Sequence, residues 1–344
     1  MAASRRAGGG TPGGNRGADV TIYDIARAAE VSPSTVSRAL HKPGRINAKT
    51  AQHIRDTAQA LGYRINPLAR ALPTGRTRML GLLLSDITNP VFFDLVRGAE
   101  RITARQRYTL VVAESQETAA LEWETADRLL PSVDGLVLVA SRLGDDQIQR
   151  LDDQRPVLLV NRVVPGVTGI VPDVLPGIRA ALDHLADLGH RSLAFLSGPA
   201  NSWMSTLRWE TLLDEAPRRS MTVVEIGPGE PTTEGGRKSL RRVVASGVTA
   251  VVTYNDLMAI GLLQASKNAD IAVPERLSIV GFDDIFGSDF TTPPITTIRT
   301  PLGAMGEEAV RRLIAQIDDE EPEGGDKPLE TVFVQRGSTT TPSS

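Results

Sequence analysis

Residues 20–72 constrain this chain more than any other stretch, because they hold two short helical patterns joined by a tight turn, then a third helix and a separately capped fourth. Thr21-Ile22-Tyr23-Asp24 sets a hydroxyl at a cap position and a carboxylate three residues later, a capping box with Asp in place of Glu. Ile22, Ile25, Ala26 and Ala29 follow with helical spacing. Glu30-Val31-Ser32 makes the turn. Ser32 can accept an orphan backbone N–H, and Pro33 sits at the first helical position, where no donor is lost. Asn47 caps a third helix with Ala51, Ile54, Ala58 and Leu61 as its buried stripe and Gly62 as its stop. Two short helices joined this way are the minimal DNA-reading unit, with the second helix in the major groove. Pro33, Ser34, Thr35, Ser37 and Arg38 are its candidate groove residues, with Thr21, Tyr23 and Asn47 beside them, while Val36 and Leu40 face inward.

Asn66-Pro67-Leu68-Ala69-Arg70-Ala71-Leu72 has its own cap and N1 proline, and Pro73 ends it. Nucleation is costly, so a helix this short needs a partner or DNA to be ordered. Asn66, Leu68, Ala69 and Leu72 therefore join the DNA-contact candidates. Charge agrees with this reading. Through Arg78 there are thirteen Lys and Arg against four Asp and Glu, a head of +9; the chain's net charge of −3 leaves −12 for the rest. A basic head on an acidic body fits phosphate binding by the head alone.

Composition excludes several chemistries. With no cysteine there is no disulfide, thiol catalysis or Cys-based metal site. Histidines 41, 53, 184 and 190 show no ligand spacing and read as surface or capping residues, so no metal or cofactor is expected. No apolar run approaches the ~20 residues that span a bilayer. Residues 1–18 lack an apolar core and read as a disordered basic tail rather than a signal peptide, which implies a cytoplasmic protein.

From Met79 onward short apolar runs alternate with amphipathic stretches. Met79–Leu84, Tyr108–Ala113, Gly135–Val139 and Val157–Val160 read as buried parallel strands, followed by a second set at Ser192–Leu196, Val223–Ile226, Ala250–Thr253 and Leu277–Phe282. Two sets imply two doubly wound α/β subdomains. Ligands of such sheets bind outside the carboxyl ends of the strands. The residues there are polar: Ser85, Asp86 and Asn89; Asn161 and Arg162; Ser197 with Arg208 beyond; Asn255 and Asp256; Asp283 and Asp284. Such a set suits a hydroxyl-rich ligand, since carboxylates accept hydroxyls and arginine donates a fork of N–H bonds. Any one of them could equally be a helix cap, Asn89 ahead of Pro90 most clearly. Trp203, on the loop before Arg208, could stack on a sugar face or simply pack.

These residues resemble the lactose-repressor/galactose-repressor (LacI/GalR) family of bacterial transcription regulators. The resemblance rests on Val-Thr-Ile-Tyr-Asp-Ile-Ala at 20–26, Val-Ser-Pro-Ser-Thr-Val-Ser-Arg-Ala-Leu at 31–40, the short helix ending in Leu72, Asn89-Pro90, Arg208, Asn255-Asp256, Gly281-Phe282-Asp283-Asp284 and Pro294–Ile298. It implies paired hinge helices in the minor groove, with Leu72 prying open a central step. It also implies a two-lobed body like the periplasmic sugar-binding proteins, with Asn161, Arg208, Asn255 and Asp283 lining the effector cleft, to which we add Asp86, Asn89, Phe92 and Trp203. The chain departs from the family at Asp173-Val174-Leu175-Pro176-Gly177, where Asp-Asn-x-x-Gly is usual, and at Glu210 and Thr211, where small residues are usual.

The fold expected is an all-α helix-turn-helix domain followed by a periplasmic-binding-protein-like α/β core of two doubly wound subdomains. Its parts are a tail (1–19), the DNA-binding domain (20–65), a hinge helix and linker (66–78), and an effector and dimerisation domain (79–341). That last domain is expected as an N-subdomain of 79–172 and 300–329 and a C-subdomain of 173–299 and 330–341. The chain end from Gly337 is polar and expected disordered, with no leucine-heptad tail, so a homodimer rather than a tetramer is expected. The function implied is a sequence-specific regulator, a repressor on pseudo-palindromic operator DNA, whose affinity a small polar effector such as a sugar controls; inducer and corepressor both remain open. An enzyme on a doubly wound fold is the rival, but Leu84-Ser85-Asp86-Ile87 stands where a Gly-x-Gly-x-x-Gly would, and there is no Walker loop. A transport-type solute receptor fits the body but not the basic head.

Overall fold

A computed structural model describes residues 20–41, 46–63, 75–321 and 329–343. The chain divides into two compact units, residues 1–77 and 78–344.

In the first unit, α1 (Ile22–Ala28), α2 (Pro33–His41) and α3 (Ala48–Ala60) enclose a small core in which Ile25, Val36 and Ile54 are fully buried. The caps explain the helix limits. The Thr21 amide and hydroxyl both donate to the Asp24 carboxylate, at 3.0 and 2.7 Å, and these bonds hold its pKa below the usual value. Glu30 turns the chain in the left-handed region, the Ser32 hydroxyl accepts the Thr35 amide, and Asn47 accepts the amide of Lys49. One core expectation fails. Leu61 caps α3 instead of extending its stripe and is 39% exposed. Asn66, Leu68, Ala69 and Leu72, like the tail, lie outside the described residues.

The second unit carries two sheets. In the first, β1 (Met79–Leu84), β2 (Thr109–Glu114), β3 (Gly135–Val139), β4 (Val157–Val160) and β5 (Thr168–Ile170) run parallel in the order β2-β1-β3-β4-β5. The helices between them are α4 (Phe92–Arg105), α5 (Ala119–Leu129) and α6 (Asp145–Asp152). The chain then enters the second lobe through α7 (Leu175–Asp187), β6 (Ser192–Leu196), α8 (Trp203–Glu215), β7 (Thr222–Ile226), α9 (Thr233–Ser246), β8 (Ala250–Thr253), α10 (Asp256–Asn268), β9 (Ser278–Asp283) and β10 (Thr296–Arg299). Helix α11 (Leu302–Asp318) packs back on the first lobe, and β11 (Val332–Val334) returns to the second, pairing antiparallel with β10. The second sheet has the order β11-β10-β9-β8-β6-β7. Asp173 and Glu330 meet as a bridge where two of the three crossings run side by side. Helices α4 and α11 touch backbone to backbone: a Cβ on Gly98 would stand 2.0 Å from the Gly303 carbonyl oxygen.

The structure corrects four readings. Strands β5 and β10 were not foreseen, since three or four residues with Thr and Gly show no apolar run. Strands β2 and β7 are sheet edges, not buried, and expose Val112 and Val224. The polar chain end is ordered: Ser338 is fully buried, its carbonyl accepts the Ile279 amide at 2.8 Å, and its hydroxyl donates to the Ile279 carbonyl. Its hydroxyls satisfy backbone groups beside β9 that would otherwise lack partners. His190 is likewise no surface residue. It is buried, its ring bonds Thr249 and the Thr340 carbonyl, and burial lowers its pKa.

Candidate functional site

Helix α2 buries Val36 and Ala39 and turns Pro33, Ser34 and Arg38 to solvent, with Thr35 and Ser37 half-buried. Residues 34 and 38 are four apart and share one face of the helix. The Ser32 hydroxyl lies 2.9 Å from that of Ser34 and 2.8 Å from that of Thr35, which fixes the rotamers at the start of the helix. Thr21, Tyr23 and Asn47 are exposed, Tyr23 at 69%. An exposed tyrosine, small hydroxyls and an arginine on one small helical unit form a surface suited to phosphates and base edges.

In the body, the carboxyl ends of both sheets hold the polar residues that the sequence pointed to, but these do different things. Arg208, on α8, and Asp283, at the end of β9, form the centre. Arg208 Nη2 donates to Asp283 Oδ1 at 2.8 Å, both side chains are nearly inaccessible, and Thr300 also donates to that oxygen. Arg208 Nη1 donates to the Tyr254 carbonyl, and the guanidinium lies 3.7 Å from the Phe282 ring centroid. Nε of Arg208 is buried without a partner. Asp283 is held at φ 99°, a strained conformation for a side-chain-bearing residue, which aims its carboxylate at the arginine. Asn161 lies across the other sheet's end in the left-handed region at φ 63°, with Oδ1 buried and unpaired.

The other candidates are structurally committed. Asn255 caps α10: Oδ1 accepts the Met258 amide at 3.0 Å and Nδ2 donates to the Pro231 carbonyl. Asn89 Oδ1 accepts the Val91 amide, and Asp86 accepts the amide and hydroxyl of Thr88. Phe92 is 5% exposed and packs in the first lobe's core. Trp203 is not on a loop but is the first residue of α8. It lines a groove of about 480 Å³ with Leu207 and Asp214 whose lining includes neither Arg208 nor Asp283. Asp256 is fully buried, accepts Thr297 Oγ1 at 2.6 Å and the Ile285 amide at 2.8 Å, and burial pushes its pKa up to about 8.

Sequence reasoning missed Arg142, Glu117, Glu122 and Tyr254. Arg142 follows β3, is buried, and pairs with Glu117 at 2.6 Å. Burial opposes its charge, but Glu117 and Tyr254 together outweigh that and raise its pKa. Its backbone amide donates to Glu122, whose own pKa burial raises. The Tyr254 phenol also favours the charged form of Arg142. Tyr254 reaches Ser202 as well, at 3.1 Å. The available signal was position: Tyr254 directly follows β8, and Arg142 comes three residues after β3.

A helical DNA-reading unit joined to a two-lobed α/β body, with a buried polar cleft between the lobes, defines a ligand-responsive transcription regulator. Residues 21–66 match the model of the bacterial regulatory proteins of the lacI family, and residues 182–339 match that of the periplasmic binding protein-like domain. The chain belongs to the lacI family of bacterial regulatory proteins. It is 30% identical over 330 residues to the HTH-type transcriptional repressor CytR of Escherichia coli (strain K12), covering 93% of this chain and 96% of that protein. The ribose operon repressor of the same organism is 30% identical over 328 residues, covering 92% and 99%. Among solved structures, the lac repressor dimer bound to operator and the anti-inducer ONPF aligns with a TM-score of 0.81 and 25% identity, covering 94% of this chain and all of that one. The chain is thus a DNA-binding regulator with an effector-binding domain, and not an enzyme. No helix among the described residues is long and apolar enough to cross a membrane.

Proposed function

We propose that this chain is a cytoplasmic repressor that binds a pseudo-palindromic operator as a homodimer and changes its operator affinity when a small polar effector, a sugar or sugar derivative, enters the cleft between its lobes. In this reading residues 20–65 read the DNA, residues 66–78 form the hinge helix and linker, and the lobes are 79–172 with 300–329 and 173–299 with 330–341. The observation that carries the effector role is the buried Arg208–Asp283 pair with an unfilled Nε, because a buried donor left without a partner costs about 1–3 kcal/mol unless something occupies it. Asn161 and Asp283 are the further effector contacts proposed, while Asp86, Asn89, Phe92 and Asn255 support the cleft from their caps and core positions and Trp203 lies on a separate groove. The DNA contacts proposed are Thr21, Tyr23, Pro33, Ser34, Thr35, Ser37, Arg38 and Asn47, with the hinge residues Asn66, Leu68, Ala69 and Leu72.

Dimerisation has its own support. Phe286 and Phe290 stand 71% and 70% exposed and packed edge-on at 5.0 Å, a contiguous apolar feature that a monomer would leave in water. The resemblance to a dimer bound to operator, and to a structure of a lacI-family regulator from Enterococcus faecium with bound ribose, supports both halves of the reading. Mechanistically, an effector that binds one lobe arrangement better shifts the body toward it, and the coupling to the hinge helices is reciprocal. Thermal shift with a sugar panel, followed by operator release with the hits, tests it. A compound that raises the melting temperature yet leaves operator affinity unchanged contradicts the coupling.

A further inference from the structure

The two stretches in which this sequence departs from its family pattern, residues 173–177 and 210–211, both contribute to one feature of the fold. It is the groove of about 480 Å³ between helix α8 and the segment that carries the chain into the second lobe, and Asp173, Glu210 and Thr211 all line it. Arg208 and Asp283 do not, so the groove is separate from the polar cleft.

One face of α8 builds most of the groove. Trp203, Leu207, Glu210 and Asp214 recur at spacings of three and four and so lie along one side of the helix. Trp203 and Leu207 pack against the second lobe's core while still lining the groove, which gives it an apolar floor at the start of the helix. Among the described residues no guanidinium or ammonium lies over the Trp203 ring, although Arg208 and Arg78 cover other aromatic rings in this way.

The other end of the groove is acidic. Glu210 and Asp214 are exposed and enter no ion pair among the described residues. Asp173 spends Oδ1 on the Leu175 amide. The one basic residue of the lining, Arg218, lies 3.5 Å from Glu215 and donates to the Asp214 carbonyl. With Arg179, Arg219 and their partner Asp183 included, five carboxylates face three arginines, a balance of −2. The last turn of α8 holds Asp214 and Glu215 and no basic residue, where the helix dipole already places partial negative charge. Both the side chains and the helix end therefore favour a cation.

A metal ion does not fit the arrangement, since no three acidic or imidazole groups among the described residues are placed to hold one. Carboxylates strung along a turn of helix beside an indole suit a cation that is itself extended and partly apolar. The face of tryptophan attracts such a cation better than any other ring, and the volume lies in the range of small-molecule sites.

We propose that this groove is a second ligand site, separate from the effector cleft, for a small organic cation: an amine or alkylammonium whose apolar body rests on Trp203 and Leu207 and whose charge is met by Glu210, Asp214 and Asp173. The site stands whether or not a sugar fills the cleft.

The test titrates the full chain by calorimetry with choline against its neutral isostere 3,3-dimethylbutan-1-ol, and with benzylamine against benzyl alcohol. Magnesium chloride and a tetralysine peptide are the remaining probes. The expected result is binding of at least one ammonium probe, at least about tenfold tighter than its neutral partner and weaker as salt rises. The Glu210→Gln/Asp214→Asn double variant should weaken that binding by about tenfold, and Trp203→Leu by about fivefold. Should Trp203→Leu fail to fold, the double variant decides, because both of its positions are exposed. Equal affinity for a neutral partner, no heat from either ammonium probe up to about 10 mM, or undiminished affinity in the double variant overturns the proposal. Tighter binding of magnesium overturns it in favour of a metal site, and binding of tetralysine alone overturns it in favour of a surface for a basic protein segment.

Discussion

Removing Arg208 should destabilise the body far more than removing an exposed pair of similar length, and a double-mutant cycle separates the reasons. At 2.8 Å and an effective dielectric of about 20, Coulomb attraction between Arg208 and Asp283 is roughly 6 kcal/mol, most of it offset by the desolvation of two buried charges. Arg208→Met leaves the Asp283 carboxylate buried with only Thr300 as its donor, a loss of about 3–5 kcal/mol. The Arg208→Met/Asp283→Asn double variant removes both charges, so its cost should fall short of the two single costs added together by about 2–3 kcal/mol. As the control, Glu230→Gln breaks a pair with Lys238 at 3.4 Å in which both partners are over 60% exposed, and should change stability by less than ~0.5 kcal/mol. Urea unfolding followed by tryptophan emission is the assay. All three tryptophans, Trp123, Trp203 and Trp209, lie in the body, so the signal is free of the DNA-reading unit. Additive single costs, or a cost for Arg208→Met no larger than that of the control, would refute the argument that this buried pair organises the cleft.

Other perturbations have defined outcomes. Asp256 holds its proton in the folded protein up to about pH 8 against an ordinary value of 3.8, so the folded state binds more protons and stability should fall as pH rises through that interval. Asp256→Asn should flatten that slope in urea melts between pH 5 and pH 8, and an unchanged slope assigns it elsewhere. Glu215 has the opposite sign: two bonds from Arg179, with Arg219 beside, hold its pKa at about 2, so its contribution is complete above the usual carboxylate range and is lost on acidification from about 4.5 toward 2. Glu215→Gln should remove that acid limb. Phe286→Glu should shift the chain to monomer in sedimentation equilibrium and weaken operator binding, since it puts a charge on the exposed aromatic pair proposed as the dimer contact; a dimer of unchanged affinity would reject this surface. Arg38→Ala should relax base preference at one position per half-site, by about 1–3 kcal/mol of discrimination, in site selection from random DNA.

What the sequence revealed and what it hid have physical causes. Caps are local: Thr21, Ser32 and Asn47 need only residues two or three positions away, and all three mark helix starts where expected. Strands β1, β3, β4, β6 and β8 are continuous apolar runs because both faces are covered. The rule that ligands sit beyond strand ends located Arg208, Asp283 and Asn161. It could not tell a ligand group from a cap, which is why Asn255 and Asn89 carry the same letters as the proposed contacts but spend them on helix amides. Contacts between distant segments left no local trace. Arg142 and Glu117 pair across 25 residues of sequence, and the Ser338 strap looks like a solvated tail until β9 lies beside it. Trp203 was misread because nothing nearby distinguishes a loop tryptophan from the first residue of a helix capped by Ser202.

In the function proposed above, ligand in the cleft and operator at the helix-turn-helix compete or cooperate through one molecule. The most direct measurement selects a preferred site from random DNA with the full chain. It then titrates that labelled site by anisotropy with and without a saturating amount of whichever probe stabilises the body. A two-fold symmetric site is expected, with an affinity that changes by at least about fivefold when the probe is present, the lower bound of a typical coupling between sites. An asymmetric or unenriched selection, or an affinity that stays the same while the cleft is occupied, would contradict it.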